Sequence, residues 1–341
     1  MDERERINIG FSVNEKYIPY LCVAINSLKH VITCKYYYTI CILHEKITSE
    51  VQKKVKDWVG QDININFVDI SSHLYDCQLF VGGEKGENYL TKETYFRLLL
   101  PEILPDVSKM FYFDADVVFK NNIEQLFSLD IGDNLLAAVP DIADNWKCHD
   151  QAFLSKYRKE ELNLPDVGDY FNAGVLILNL EKFRELYKPG ELISLASQKL
   201  WKKHDQDVLN LVCRGKYYKL DIRWNLIELS YDILTRNYGE AIVMEYENAM
   251  KNPGVIHYAA RKPWMNRRVA FAKDFWESVV GTPWFDYIIG TYIENVLSDI
   301  EVLTQCVEKE LQNERIGFRF VINSFKNWLK IKFERGGKRR G

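Results

Sequence analysis

Short apolar runs alternate with longer amphipathic stretches through the first fifth of the chain. Residues 7–13 (INIGFSV) are a compact apolar run and predict a strand. Residues 17–31 follow with Leu21, Ala24, Ile25 and Leu28 on one helical face, and Pro19 falls in the first turn, where its missing N–H is tolerated. Residues 37–43 predict a second strand, 49–59 an amphipathic helix and 63–68 a third strand. This alternation predicts a mainly parallel α/β sheet with helices on both faces. Further on, 93–100 reads as a helix stopped by Pro101, 110–113 as a strand, and 135–139 as a strand ending at Pro140-Asp141. Residues 173–180 read as a buried strand, and a helix from 181 ends near Pro189-Gly190. Residues 205–212 form a short helix opened by Asp205, and 255–258 a short strand, while 157–169 and 216–248 read as irregular. After about residue 281 the pattern is helical only. The expected organisation is an α/β body over 1–281 and a helical extension over 282–341.

The most telling stretch is KMFYFDADVVF, in which Asp114 and Asp116 sit between two apolar runs. Carboxylates at the carboxyl end of a buried strand lie where ligands bind in open α/β sheets. Burying two such charges together is costly without a cation, so the pair reads as a divalent metal site holding a phosphate. Taken alone, a DxD also occurs as a solvated turn. Oxygen-rich sites with one imidazole suit manganese or magnesium. Of six histidines, His257 ends a predicted strand in VIHYAARKPW and has Lys262 close behind, a ligand-plus-phosphate pairing. Its bland reading is a satisfied core histidine. Asn172, Ala173 and Gly174 make a small-residue entry to a buried strand, which allows close approach of a ligand. Asp205, Gln206 and Asp207 open a helix and either cap it or bind sugar hydroxyls.

Charge changes the picture at two places. The net charge of −3 gives no general attraction to nucleic acid. Residues 315–341 carry nine basic residues against the single acid Glu334, with Phe318, Val321, Ile322, Phe325, Trp328 and Leu329 on one helical face. That is the pattern of a membrane-surface element; a helix packed on the body with its lysines in water has the same stripe. The seven scattered cysteines lack any CxxC pair, and the opening MDERERINIG shows no signal peptide. A reducing, cytoplasmic setting, peripheral on the inner face of a membrane, is the expectation.

In order along the chain stand YLCVAINSL, TYFRLLLP, FYFDADVVF, YFNAGVLILNL, DQDVLN and HYAARKPW. Six ordered motifs over roughly residues 7–264 are far more specific than any one. The set resembles the family 8 glycosyltransferases, retaining enzymes that include bacterial lipopolysaccharide galactosyl- and glucosyltransferases and the glycogenins. The resemblance implies the GT-A type, Rossmann-like fold of nucleotide-diphospho-sugar transferases. It implies transfer of a hexose from UDP-glucose or UDP-galactose to a glycan or glycolipid acceptor. Asp114, Asp116 and His257 would bind Mn²⁺, with Mg²⁺ the alternative, bridging the diphosphate. Ser12, Asn14 and Ala115 would lie by the nucleotide, and Tyr17 would stack on uracil. Arg97, Asn172, Ala173, Asp205 and Gln206 would surround the donor sugar, Lys262 would meet a phosphate oxygen, and Asp141 would sit close to the acceptor. Front-face substitution with Gln206 steadying the transition state is the implied route, and Asp207 is the second choice as a nucleophile. Relatives often have Asp at Asn14, Asn at Lys16 and Gly at Ala260, and the step from His257 to Lys262 is one residue shorter here. A non-catalytic sugar-binding relative, a self-glucosylating enzyme, and a phosphatase or nucleotidyltransferase are the other readings of the same metal pair.

Overall fold

The computed structural model describes residues 4–61, 63–74, 79–80, 91–259, 261–265, 268–312 and 324. The chain divides into two compact units, Met1–Phe285 and Asp286–Gly341. Among the described residues of the first, ten strands form two sheets: β1 (Arg6–Ser12), β2 (Tyr37–His44), β3 (Ile63–Asp69), β4 (Lys109–Phe113), β5 (Val117–Phe119), β6 (Leu136–Pro140), β7 (Phe171–Asn179), β8 (Tyr217–Lys219), β9 (Leu226–Ile227) and β10 (Val255–His257). The large sheet has the order β3-β2-β1-β4-β7-β6-β8. Its pairs are parallel except those of β7, which runs antiparallel to both β4 and β6.

Both faces of this sheet are covered. Phe111 and Phe113 of β4 and Val175 and Ile177 of β7 pack on one side with Leu21 and Ile25 of helix Ile18–Lys29 and Val55 of helix Ser49–Val59. Met110, Tyr112, Leu176 and Leu178 pack on the other with Phe96, Phe183 and Val208. Each such side chain contributes roughly 1.5–3 kcal/mol on burial, which offsets the cost of the charges gathered at the carboxyl end of β4. Helix Ser49–Val59 is bounded as its sequence dictates: Thr48 Oγ1 accepts from Val51 N, and Gly60 ends it at φ +80°.

Two features position the site. Because β7 runs backwards, its amino-terminal residues Asn172–Gly174 lie beside the carboxyl end of β4, and Asp114 N donates to Gly174 O at 2.8 Å. A small sheet, β5-β10-β9, then folds His257 opposite Val117, directly after the DxD.

The structure differs from the sequence pattern at three places. Pro101 does not stop a helix; the 3₁₀ segment Lys92–Leu99 runs into an α-turn, Leu100–Ile103, that carries Pro101 at its start. Part of the stretch read as irregular over 157–169 belongs to helix Ala152–Glu161, whose inward residues include the charged Arg158 and so hide its periodicity. The stretch 216–248 holds β8, β9, the helix Tyr231–Asn237 and most of the helix Glu240–Lys251. The helix Phe285–Gln312 begins on the last residue of the first unit and otherwise belongs to the second. No helix of the described residues is long and apolar enough to cross a membrane. Ala260 and, residue 324 aside, the basic tail lie outside the described residues.

Candidate active site

Asp114, Asp116 and His257 converge, with one ligand atom from each lying within 4.8 Å of the others. His257 Nε2 lies 3.3 Å from Asp116 Oδ1 and 3.6 Å from Asp114 Oδ2. Lys262 Nζ bonds Asp116 and the carbonyl of Tyr258. Burial alone would raise the Asp116 carboxyl, but Lys262 and His257 outweigh burial and hold it far below its ordinary range. Two hard carboxylates with one imidazole fit manganese or magnesium, and the chemistry of this donor set is the test they pass. Ala115, between the aspartates, faces the core. Gly174 is the close-packed residue here. A Cβ on it would overlap Cε1 of His257 and lie 2.7 Å from its Nδ1 and 2.8 Å from Asp114 Oδ2. The space that its missing side chain leaves is filled by the cluster itself.

Arg97 is a buried clamp beside this cluster. Its guanidinium reaches Asp114 Oδ1 at 2.7 Å, Asp205 Oδ2 at 2.9 Å and the carbonyl of Ala173, and it lies over the Tyr112 ring. Asp205 Oδ2 makes this ion pair without a hydrogen bond, leaving a buried oxygen for a hydroxyl donor. Burial raises the Asp205 carboxyl to about 6 against the pull of Arg97 and Thr94. The residue before it, His204, has φ +51° and a ring nitrogen 2.9 Å from the Tyr95 hydroxyl. That sparsely populated backbone costs about 1–3 kcal/mol and sets how the 205–207 turn enters its helix.

Asp141 anchors the opposite side. Its Oδ2 accepts from Asn172 Nδ2 at 3.2 Å and from Gln206 Nε2 at 3.0 Å. Burial, with Asp144 nearby, raises its carboxyl despite those donors. Gln206 Oε1 accepts from Ala173 N at 2.9 Å. Asp207 is not placed with this group. Its carboxylate is buried and taken by the hydroxyls of Tyr170 (2.6 Å) and Tyr157 (2.7 Å) and by Lys203 N (2.9 Å), so it serves as a structural acceptor.

The residues expected by the nucleotide follow β1. Asn14 Oδ1 is buried and has no hydrogen-bond partner among the described residues, the condition a ligand's polar group would relieve, while Ser12 Oγ is buried beside the Tyr112 hydroxyl. Tyr17 meets Tyr20 edge-on at 5.3 Å and Trp264 at 6.2 Å, and burial, then Asp116, raise its phenol, so it stays neutral. A cavity of about 330 Å³ opens beside His257, with Trp146, Leu229, Tyr258 and Arg261 in its wall.

One residue of this constellation has no sequence signal. Asn225, on a 3₁₀ turn held by Asp221, bonds His257 Nδ1 at 2.8 Å through Oδ1 and Asn172 Oδ1 at 2.8 Å through Nδ2. No spacing rule ties it to either partner, because the contact is made only when β9 and β10 pair.

General stress protein A of Bacillus subtilis (strain 168) is 25% identical over 232 residues, covering 65% of this chain and 74% of that protein. The lipopolysaccharide 1,2-glucosyltransferase of Escherichia coli (strain K12) is 25% identical over 296 residues, covering 83% and 80%. Among solved structures, the bifunctional glycosyltransferase WbbM superposes with a TM-score of 0.74 at 24% identity, over 85% of this chain and 52% of that one. The galactosyltransferase LgtC, in complex with donor and acceptor sugar analogues, gives 0.65 at 24% identity, over 81% and 96%. These two show the shared GT-A fold. The model of the family described as "Glycosyl transferase family 8" matches residues 8–268, so the chain is a glycosyltransferase of family 8.

Proposed function

We propose that this glycosyltransferase moves a hexose, glucose or galactose, from a UDP-sugar to a cell-surface glycan or lipopolysaccharide acceptor, with Mn²⁺ and with retention at the anomeric carbon. The observation that carries the reading is the convergence of Asp114, Asp116 and His257 beside Lys262. A divalent cation held by those three side chains would supply Lewis-acid stabilisation of the departing diphosphate. Lys262 adds a second positive charge within reach of a phosphate oxygen, the kind of preorganised electrostatics that is usually the largest catalytic effect. Arg97 keeps Asp114 and Asp205 in fixed relation, and Asp205, Asn172 and Gln206 offer hydrogen bonds to sugar hydroxyls. The Gln206 oxygen is occupied by a backbone N–H and Asp207 by three donors, which supports front-face substitution over a covalent intermediate. Asp141, close to Gln206, is the group we assign to the acceptor hydroxyl, and the cavity beside His257 is the one we assign to the rest of the acceptor. The body over 1–281 is the catalytic part and 282–341 an extension. The basic tail is the segment we assign to the inner membrane surface, where each Lys or Arg adds about 1 kcal/mol of attraction to anionic lipid.

The test is release of UDP from a panel of UDP-sugars, with and without Mn²⁺. We expect turnover only with the metal and with one of the two hexoses. Asp116→Ala should abolish turnover and metal-dependent UDP binding together. Turnover that survives metal chelation or this substitution would refute the reading.

A further inference from the structure

Two backbone amides set the direction of the hydrogen bonds that link the acceptor side of the site to the metal cluster. A main-chain N–H is always a donor, whereas the two ends of a side-chain amide are told apart only by their partners. Gly174 N lies 2.9 Å from the Asn172 side chain, so the atom it meets must be the carbonyl oxygen. The Asn172 nitrogen is thereby turned toward Asp141 Oδ2, 3.2 Å away. Asn225 meets that same Asn172 oxygen at 2.8 Å. An oxygen cannot donate, so the Asn225 atom there is its nitrogen, and its own oxygen is left facing His257 Nδ1 at 2.8 Å. That oxygen only accepts, so Nδ1 must carry a proton. A neutral imidazole protonated at Nδ1 has its lone pair on Nε2, the nitrogen that faces both aspartates.

We propose that Asn225 is a positioning residue for His257. It fixes the ring in the Nδ1–H form with Nε2 turned to Asp114 and Asp116, and takes its own orientation from Gly174 N–H by way of Asn172. Asn172, Asn225 and His257 are all buried, at 8%, 3% and 4% exposure, so bulk water does not compete for these bonds. Ala173 N–H acts in the same way one residue earlier. It fixes the Gln206 oxygen, and so aims the Gln206 nitrogen at Asp141. Consecutive amides at the start of β7 thus set the polarity of both bonds that end on Asp141. Outer partners of this kind typically alter metal affinity 10–100-fold.

The inference rests on the metal reading given above, and the experiment separates the two. In the full chain, ¹⁵N spectra of the histidine rings, with His257→Gln to assign the signal and Mg²⁺ as the diamagnetic cation, should show a protonated Nδ1 on His257 with and without metal. Mn²⁺ binding, followed by the electron spin resonance of the free ion, should weaken 10–100-fold in Asn225→Leu. It should stay within about threefold of wild type in Asn225→Asp, whose carboxylate still accepts from Nδ1–H but can no longer donate to Asn172. An Asn225→Asp that binds Mn²⁺ as weakly as Asn225→Leu overturns the proposal, as does an unprotonated Nδ1 in the wild type or an Asn225→Leu that binds Mn²⁺ normally. If Asn225→Leu does not fold, the wild-type ring spectrum and Asn225→Asp decide the matter. A wild type that binds no Mn²⁺ removes the metal reading, while the ring spectrum still judges Asn225.

Discussion

Replacing Gly174 by alanine tests the site at its tightest point. The added methyl would overlap Cε1 of His257 and stand 2.7 Å from Nδ1, where carbon contacts settle near 3.5 Å. Relief requires the imidazole to retreat by about 1 Å, since the opposite move is blocked by the pairing of β7 with both β4 and β6. Metal–ligand distances tolerate about ±0.2 Å, so a retreat of that size takes His257 out of the ligand set. The expected result is a loss of about 10²-fold in Mn²⁺-dependent turnover, with weaker Mn²⁺ binding measured directly and overpacking of about 1–3 kcal/mol in urea denaturation. Gly239→Ala is the matched control, because a Cβ there meets nothing within 4 Å. Wild-type metal affinity and turnover in Gly174→Ala would refute the argument, since the methyl must then have been absorbed without moving the histidine.

Burial raises the Asp205 carboxyl from 3.8 to about 6. The folded state therefore keeps a proton that the unfolded chain loses between those values, so stability falls as pH rises through that window and levels off above it. Asp205→Asn should lose about 3 kcal/mol less than wild type between about pH 4 and 7 in urea melts; an equal loss contradicts the assignment. Arg158, buried with Asp144 at 2.7 Å and Asn145 Oδ1 at 2.6 Å, should cost about 3 kcal/mol when changed to Leu, since Lys147 still neutralises Asp144. A change under about 1 kcal/mol by thermal or urea melts would deny that pair a structural role. Removing the residues after Gly317 should reduce sedimentation with anionic vesicles and spare donor hydrolysis; unchanged sedimentation argues for a tail that packs on protein.

The β-α-β-α-β start was legible because its strands and helices obey local periods of two and 3.6 residues, and those periods survive folding. The direction of β7 was not, because a run such as FNAGVLILN reads alike whichever way it is laid in a sheet. Helix Ala152–Glu161 was hidden by chemistry, since one of its two buried residues is an arginine neutralised only by the distant Asp144. The sequence brought Asp114, Asp116 and His257 together through the order of motifs, and the fold places them in one cluster. It read Gly174 as room for a ligand, where the fold fills that space with the His257 ring. Asn225 was invisible because both of its partners are remote along the chain and its own surroundings carry no pattern.

The small three-stranded sheet has a consequence for how activity appears during synthesis. A ribosome releases both aspartates long before it releases the histidine and lysine that complete their cluster. Only when β10 has emerged and slotted between β5 and β9 does the imidazole arrive opposite Val117. Closing so long a loop is entropically costly and is repaid only by the finished sheet. If the metal reading proposed above holds, a nascent chain that has not yet released β10 should be inert toward nucleotide sugars, and competence should come on in one late step.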